Sequence, residues 1–292
     1  MAGRMRSTTI AGRHRVLIKG PASAHSYGAG RSRFSSAAGL PRRPWLERLR
    51  RALREDTLVL HYQPIVSLRT GAVSQYEALV RLADEPSGQL LEPGAFLGAA
   101  ERYGLVPELD RLVLRKALLT LASSHERIAV NLSALSTTDA ATLTQIERGL
   151  ALHEVDPRRL TVEITETAAI SDMRRARAFC EAVRALGCSV ALDDFGVGFG
   201  SLHYLKRLPF DYLKIDGYFI RGLTSSLSDQ LVVKALVDVA RGMGKETVAE
   251  FVGDQATLEL LREYGVDHAQ GFALGRPSAT RLPVVLSPRH AG

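Results

Sequence analysis

The feature that most constrains this chain is a repeated alternation of short apolar runs with longer amphipathic stretches. The apolar runs occupy 127–134, 160–167, 189–195, 212–216, 247–252 and 269–274. Runs of this length bounded by turn-forming residues read as strands. Between them, 229–241 places Val232, Ala235, Leu236 and Val239 on one helical face, with Ser228 as the expected N-cap. Six strand-then-helix units in succession call for parallel strands covered by helices. Ahead of them, 58–68 and 73–82 also read as strands. The Thr70-Gly71 connection between them is so short that the pair must be antiparallel. Order begins near Pro44, where Leu46, Leu49 and Leu53 recur at helical spacing. Eight strands result, and the expected fold is α/β: a (β/α)8 TIM-like barrel with one reversed strand in an N-terminal hairpin. An open doubly wound sheet is the alternative. It calls for a glycine-rich phosphate loop after the first strand, and none is present.

A chain of 292 residues suits one such domain and can bury a full core. Cys180 and Cys188 are too few for a disulfide framework or a zinc site; they read as small buried hydrophobes in a reducing cytosol. No run approaches the roughly 20 apolar residues of a membrane span, and the N-terminus lacks a secretory apolar core. The expectation is a cytoplasmic protein without an integral membrane segment. Its formal charge of +7 is uneven: residues 1–45 hold nine Lys or Arg and no acid, leaving −2 for the rest. The basic balance therefore describes a tail. The expected organisation is a disordered basic tail over 1–44, a barrel over 45–283 and a short C-terminal tail over 284–292. A solvated tail or a start codon placed too far upstream is the favoured reading, and a basic arm for nucleic acid or an anionic membrane is the alternative. No specific nucleic-acid partner is expected.

Strand ends build the active site of a barrel. Here seven strands carry polar groups: Glu77, Asn131, Glu163, Asp193 with Asp194, Lys214 with Asp216, Glu250 and Gln270, the last at the opening of the final strand. A single acid in an apolar strand can face outward, but seven strands in succession argue for a shared site. Buried carboxylates without compensation cost several kcal/mol or shift their pKa, so the cluster needs cations. Oxygen ligands without Cys or His point to Mg²⁺ or Mn²⁺. Adjacent Asp193 and Asp194 suit a site for two divalent cations, one carboxylate bridging while the other reaches the second ion.

These residues also carry a resemblance. From about Trp45 to Leu282 the chain resembles the EAL-domain family of cyclic di-GMP phosphodiesterases. It shows Glu77-Ala78-Leu79-Val80-Arg81, Tyr62-Gln63-Pro64-Ile65, Asn131-Leu132-Ser133, Glu163-Ile164-Thr165-Glu166, Asp193-Asp194-Phe195-Gly196, Leu213-Lys214-Ile215-Asp216, Ala249-Glu250 and Gln270-Gly271 in order. The resemblance implies that Glu77, Asn131, Glu163 and Asp193 hold a first metal, and that Asp193, Asp194 and Glu250 share a second or its waters. It implies catalytic roles for Lys214, Glu250 and Gln270, which orient the attacking hydroxide and steady the phosphoryl oxygens. Arg81 would grip a phosphate, Gln63 and Leu79 would meet the nucleotide, and Glu166 and Asp216 would support the site from behind. A homodimer is implied as well.

The chain departs from the family pattern in places. Gly253 stands where relatives usually have a second Glu, with Asp254 beside it. The loop after Asp194 has Val197, Phe199 and Gly200 where relatives usually have Thr, Tyr and Ser. Two functions follow. One is a hydrolase that opens cyclic di-GMP to linear pGpG by attack of a metal-bound hydroxide. The other is a catalytically weak or inactive cyclic di-GMP receptor or protein-interaction module. Receptor-like relatives typically lose several ligands, whereas all the ligand positions survive here, which favours the enzyme.

Overall fold

In the computed structural model the described residues are 42–84, 88–196, 205–284 and 286. Nearly all of the basic tail and the loop holding Val197, Phe199 and Gly200 lie outside them. Helix α1 (Arg42–Glu55) precedes the hairpin of β1 (Leu58–Ser67) and β2 (Val73–Asp84). A three-residue strand β3 (Gln89–Leu91) pairs with the end of β2. Helices α2 (Pro93–Arg102) and α3 (Val106–Ala122) lead to β4 (Ile128–Leu132). Then follow α4 (Ala134–Thr137), α5 (Ala140–Leu152), β5 (Leu160–Thr165), α6 (Glu166–Ser171), α7 (Met173–Ala185) and β6 (Ser189–Phe195). The described remainder is β7 (Tyr212–Ile215), α8 (Gly217–Ile220), α9 (Leu227–Gly242), β8 (Glu246–Ala249), α10 (Gln255–Tyr264) and β9 (His268–Gln270).

The sheet closes on itself. From β2 through β4, β5, β6, β7 and β8 to β9 every pairing is parallel. Strand β1 is antiparallel to both β2 and β9, so it is the one reversed strand of an eight-stranded barrel. The expected fold holds. Four details differ from the sequence expectation. The edge strand β3 is too short and polar to announce itself by periodicity. Helix α9 starts two residues earlier, because the Ser226 hydroxyl, not Ser228, accepts from Asp229 N–H. Several strands stop sooner than their apolar runs. Gln270 closes β9 rather than opening it, because 271–274 turns back to bond Val252.

Strand alternation sorts the side chains into two layers. Outward residues such as Val130, Val162, Leu192 and Leu213 pack with helix residues such as Leu114, Leu118 and Val183 in the large core. Inward residues are fewer: Ile65, Ala191, Tyr212 and Val248 form a small apolar plug inside the barrel. Below the plug, Thr161 bonds Gln75 at 2.9 Å and Arg127 bonds the Tyr212 hydroxyl at 3.1 Å. Above it, at the carboxyl ends of the parallel strands, the inward positions turn polar and charged.

Candidate active site

Asp193, Lys214 and Glu250 each sit one inward step beyond a plug residue, Ala191, Tyr212 and Val248. Glu77, Asn131, Glu163, Asp193, Lys214, Glu250 and Gln270 are all buried. Asn131 Nδ2 donates to Glu77 Oε1 at 2.6 Å, and Gln270 Nε2 donates to Glu77 Oε2 at 2.6 Å. Gln270 Nε2 also reaches Gln63 Oε1 at 3.2 Å, and Gln63 donates to the Gly275 carbonyl at 3.1 Å. Lys214 stands at the centre. Its Nζ lies 2.8 Å from Glu163 Oε2, 2.9 Å from Asp193 Oδ1, 2.8 Å from Glu250 Oε1 and 3.9 Å from Glu77 Oε2.

Alternation along a strand should send Asp193 and Asp194 to opposite faces. The pairing of β6 with β7 breaks between Leu192 and Phe195, and Asp194 takes a left-handed backbone with φ 55°. This bulge turns the second carboxylate back toward the first, a use of bulges often met beside active sites. Ligand oxygens of Asp193, Asp194 and Glu250 consequently lie within 4.8 Å of one another. Gly196 follows with φ 105°, open to glycine at no steric cost, and its N–H donates to Glu166 Oε2 at 3.2 Å. Asp216 caps α8 by accepting from Tyr218 N–H at 2.5 Å, and its carboxyl also meets that of Asp194. Phe251, directly after Glu250, has φ 54°, a costly conformation for a bulky residue. Gly271 is fixed for another reason: a Cβ there would come within 2.2 Å of Val252 backbone atoms.

Electrostatics follow from the count of charges. Four carboxylates surround one ammonium, and a fifth, Asp194, stands beside Asp193 and Glu250. Burial pushes the Glu163 and Glu250 carboxyls well above the usual carboxylate range, with Lys214 opposing and neighbouring acids reinforcing. Burial and then Asp193 push Asp194 up to about 8. Burial would lower Lys214, but Asp193, Glu163, Glu250 and Glu77 outweigh it and hold the ammonium well above its usual value. Negative charge is thus in excess, and three buried oxygens, Glu163 Oε1, Glu250 Oε2 and Gln270 Oε1, have no hydrogen-bond partner. Orphaned hard oxygens in a buried acidic cluster fit divalent cations.

The remaining expected residues line one wall. Glu77, Leu79 and Arg81 share a face of β2, and Leu79 and Arg81 are buried. Arg81 Nη1 donates to the Val80 carbonyl at 3.0 Å. Two residues went unnoticed in the sequence. His61 is paired in register with Leu79 on the same wall. Asp110 of α3 is fully buried and accepts from Ser133 N–H at 2.9 Å and the Ser136 hydroxyl at 2.7 Å, pinning the turn that follows Asn131. Nothing but an acid among apolar helix positions could have signalled Asp110. Asp254, beside Gly253, caps α10 by accepting from Thr257 N–H at 2.7 Å.

Comparison with known proteins decides the family. The EAL domain model matches residues 46–277. The chain belongs to the EAL-domain family. This EAL domain is 41% identical over 239 residues to cyclic di-GMP phosphodiesterase PdeB of Shewanella oneidensis, covering 80% of this chain and 28% of that protein. Its fold matches the phosphodiesterase MucR in complex with c-di-GMP at TM-score 0.75 and 39% identity, covering 80% of this chain and 97% of that one. The FimX EAL domain from Pseudomonas aeruginosa bound to c-di-GMP matches at TM-score 0.77 and 30% identity, covering 81% and 97%. The chain spans about a third of the length of the curated relatives it matches. Among the described residues, no helix of this EAL domain is long and apolar enough to cross a membrane.

Proposed function

We propose that this EAL domain is a phosphodiesterase that hydrolyses cyclic di-GMP to linear pGpG, using two divalent cations, Mg²⁺ or Mn²⁺. The observation that carries the reading is the ring of four buried carboxylates around Lys214, with half-buried Asp194 beside them and orphaned oxygens left over. Glu77, Asn131, Glu163 and Asp193 are the residues for one cation; Asp193, Asp194 and Glu250 are those for the other. Divalent cations bound there supply positive charge that acidifies a water and offsets charge gathering on phosphorus.

The protein's own groups do the rest. Lys214 offers an ammonium and Gln270 an amide to orient the water and the phosphoryl oxygens, where donors fixed in a buried site act most strongly. Arg81 presents a charged fork to a phosphate. Gln63 and Leu79 meet the nucleotide. Glu166 holds the backbone after Asp194, and Asp216 abuts Asp194 while capping α8. The catalytic unit in this reading is residues 45–283, flanked by tails over 1–44 and 284–292, and it works as a homodimer, which light scattering would test.

Glu77→Ala tests the site. Glu77 takes hydrogen bonds from both Asn131 and Gln270, so its loss should abolish turnover while circular dichroism stays that of a folded barrel. Near wild-type turnover at saturating Mg²⁺ would overturn the assignment.

A further inference from the structure

The backbone directly after Glu250 is held in a conformation that its side chain resists. Phe251 has φ 54°, a left-handed angle that a bulky residue keeps only where its surroundings impose it. The peptides on either side are anchored. Glu250 N–H donates to the Ile215 carbonyl at 3.2 Å, and Val252 N–H donates to the Gln270 carbonyl at 2.9 Å. Between these anchors the left-handed turn lays the Phe251 ring on Gly217, the first residue of α8. No side chain would fit beneath it: a Cβ at Gly217 would stand 2.6 Å from Phe251 Cγ and 2.8 Å from Phe251 Cβ. The Arg221 guanidinium stacks over the same ring, 4.1 Å from its centroid. Helix α8 makes a second contact of this kind. Phe219 lies so close to Gly196 that a Cβ there would stand 2.7 Å from Phe219 Cε2. The helix thus bridges the segment after Glu250 and the segment after Asp194, two carboxylates whose oxygens approach each other beside Asp193. Glu250 has little else to hold it. Among the described residues its Oε1 meets Lys214 Nζ at 2.8 Å, and its Oε2 has no hydrogen-bond partner. Its aim is therefore set by the backbone that Phe251 holds.

We infer that Phe251 is a positioning residue for Glu250: its ring, seated on Gly217 beneath Arg221, locks the turn after β8 and so aims the Glu250 carboxylate at the oxygens of Asp193 and Asp194. A ring that served stability alone would have no need of a backbone angle that costs stability, and the strain falls on the residue next to a candidate ligand. The inference rests on the proposed two-cation reading and adds how the carboxylates of the second cation keep their separation.

The test starts from Phe251→Gly, which removes the ring and the backbone strain together and should fold, as circular dichroism would show. Two measurements decide the role: Mn²⁺ binding without substrate, read from the electron paramagnetic resonance of the free ion, and steady-state turnover of cyclic di-GMP. The Kd of the weaker-bound ion should rise about tenfold or more, the size met when a residue supporting a metal ligand is lost. By the same reasoning kcat should fall about tenfold, with KM within about twofold of wild type. Phe251→Tyr keeps the ring and should stay close to wild type. Gly217→Ala pushes the ring away and should reproduce the loss without touching Phe251. Combined with Phe251→Gly it should add nothing, since the ring it collides with is gone. Wild-type Mn²⁺ affinity in Phe251→Gly, or additive losses in the double variant, would overturn the inference. Should the wild-type protein bind Mn²⁺ without cleaving cyclic di-GMP, the hydrolase reading fails on its own, and the Mn²⁺ series still decides the role of Phe251. A wild-type protein that binds no Mn²⁺ would overturn both.

Discussion

Lys214 Nζ lies 2.8 Å from Glu250 Oε1 across the junction of two neighbouring strands, with the lysine side chain only 1% exposed. This ammonium is the cation around which the carboxylates gather. Removing one partner of a buried charge pair costs about 3–5 kcal/mol. Lys214→Met should therefore destabilise the chelator-treated protein by about 3 kcal/mol or more in urea unfolding. Mn²⁺ should narrow the gap, since the ion replaces the lost charge. Equal stability of the two proteins in chelator would show that the carboxylates do not depend on Lys214.

A pH dependence follows from Asp194. Its folded pKa of about 8 stands above the ordinary carboxyl value of 3.8. The folded state thus binds the proton more tightly than the unfolded state does. The stability this contributes is complete below about pH 4 and is lost as pH rises to about 8. Metal coordination needs the deprotonated carboxylate, so bound Mn²⁺ reverses the trend. In chelator, the stability difference between wild type and Asp194→Asn should turn against wild type across that window. A difference that is flat with pH would contradict the assigned shift.

Much of this was legible in the sequence because barrel geometry makes function periodic. Strand-end residues Glu77, Asn131, Glu163, Lys214 and Glu250 are inward by alternation, and the structure brings all five together. Alternation alone could not bring Asp193 and Asp194 to one side. That required a bulge and a left-handed Asp194, and a run reading Leu192-Asp193-Asp194-Phe195 carries no sign of either. Strand ends were overestimated wherever an apolar run continued past the last ladder bond, as it does after Ala249.

Gly253 admits a direct repair. A positive φ at this glycine would make any side chain strained. The structure rules that out: Gly253 is exposed, lies outside the left-handed region, and a Cβ would meet nothing within 4 Å. Gly253→Glu should therefore melt within about 2 °C of wild type, as surface substitutions generally do. If the family acid at this place helps position water, kcat should rise with KM little changed. An unchanged kcat in the folded variant would clear Gly253 of any part in weak activity.

Calcium should be a poor substitute. Ca²⁺ takes more ligands at longer distances than Mg²⁺, so it can fill an all-oxygen site while spacing its members badly for in-line attack. Adding Ca²⁺ to the Mg²⁺ enzyme should depress turnover progressively. Equal rates with Ca²⁺ alone would argue that the cations only hold the fold together.

The central claim is that this acidic barrel mouth cleaves cyclic di-GMP when divalent cations are present. Purified protein incubated with cyclic di-GMP, with Mg²⁺, Mn²⁺ or excess chelator, and resolved by chromatography, tests it most directly. The account predicts conversion to pGpG with either metal and none with chelator. Intact cyclic di-GMP in every metal-containing reaction, from a protein that is folded and binds the dinucleotide, would contradict it.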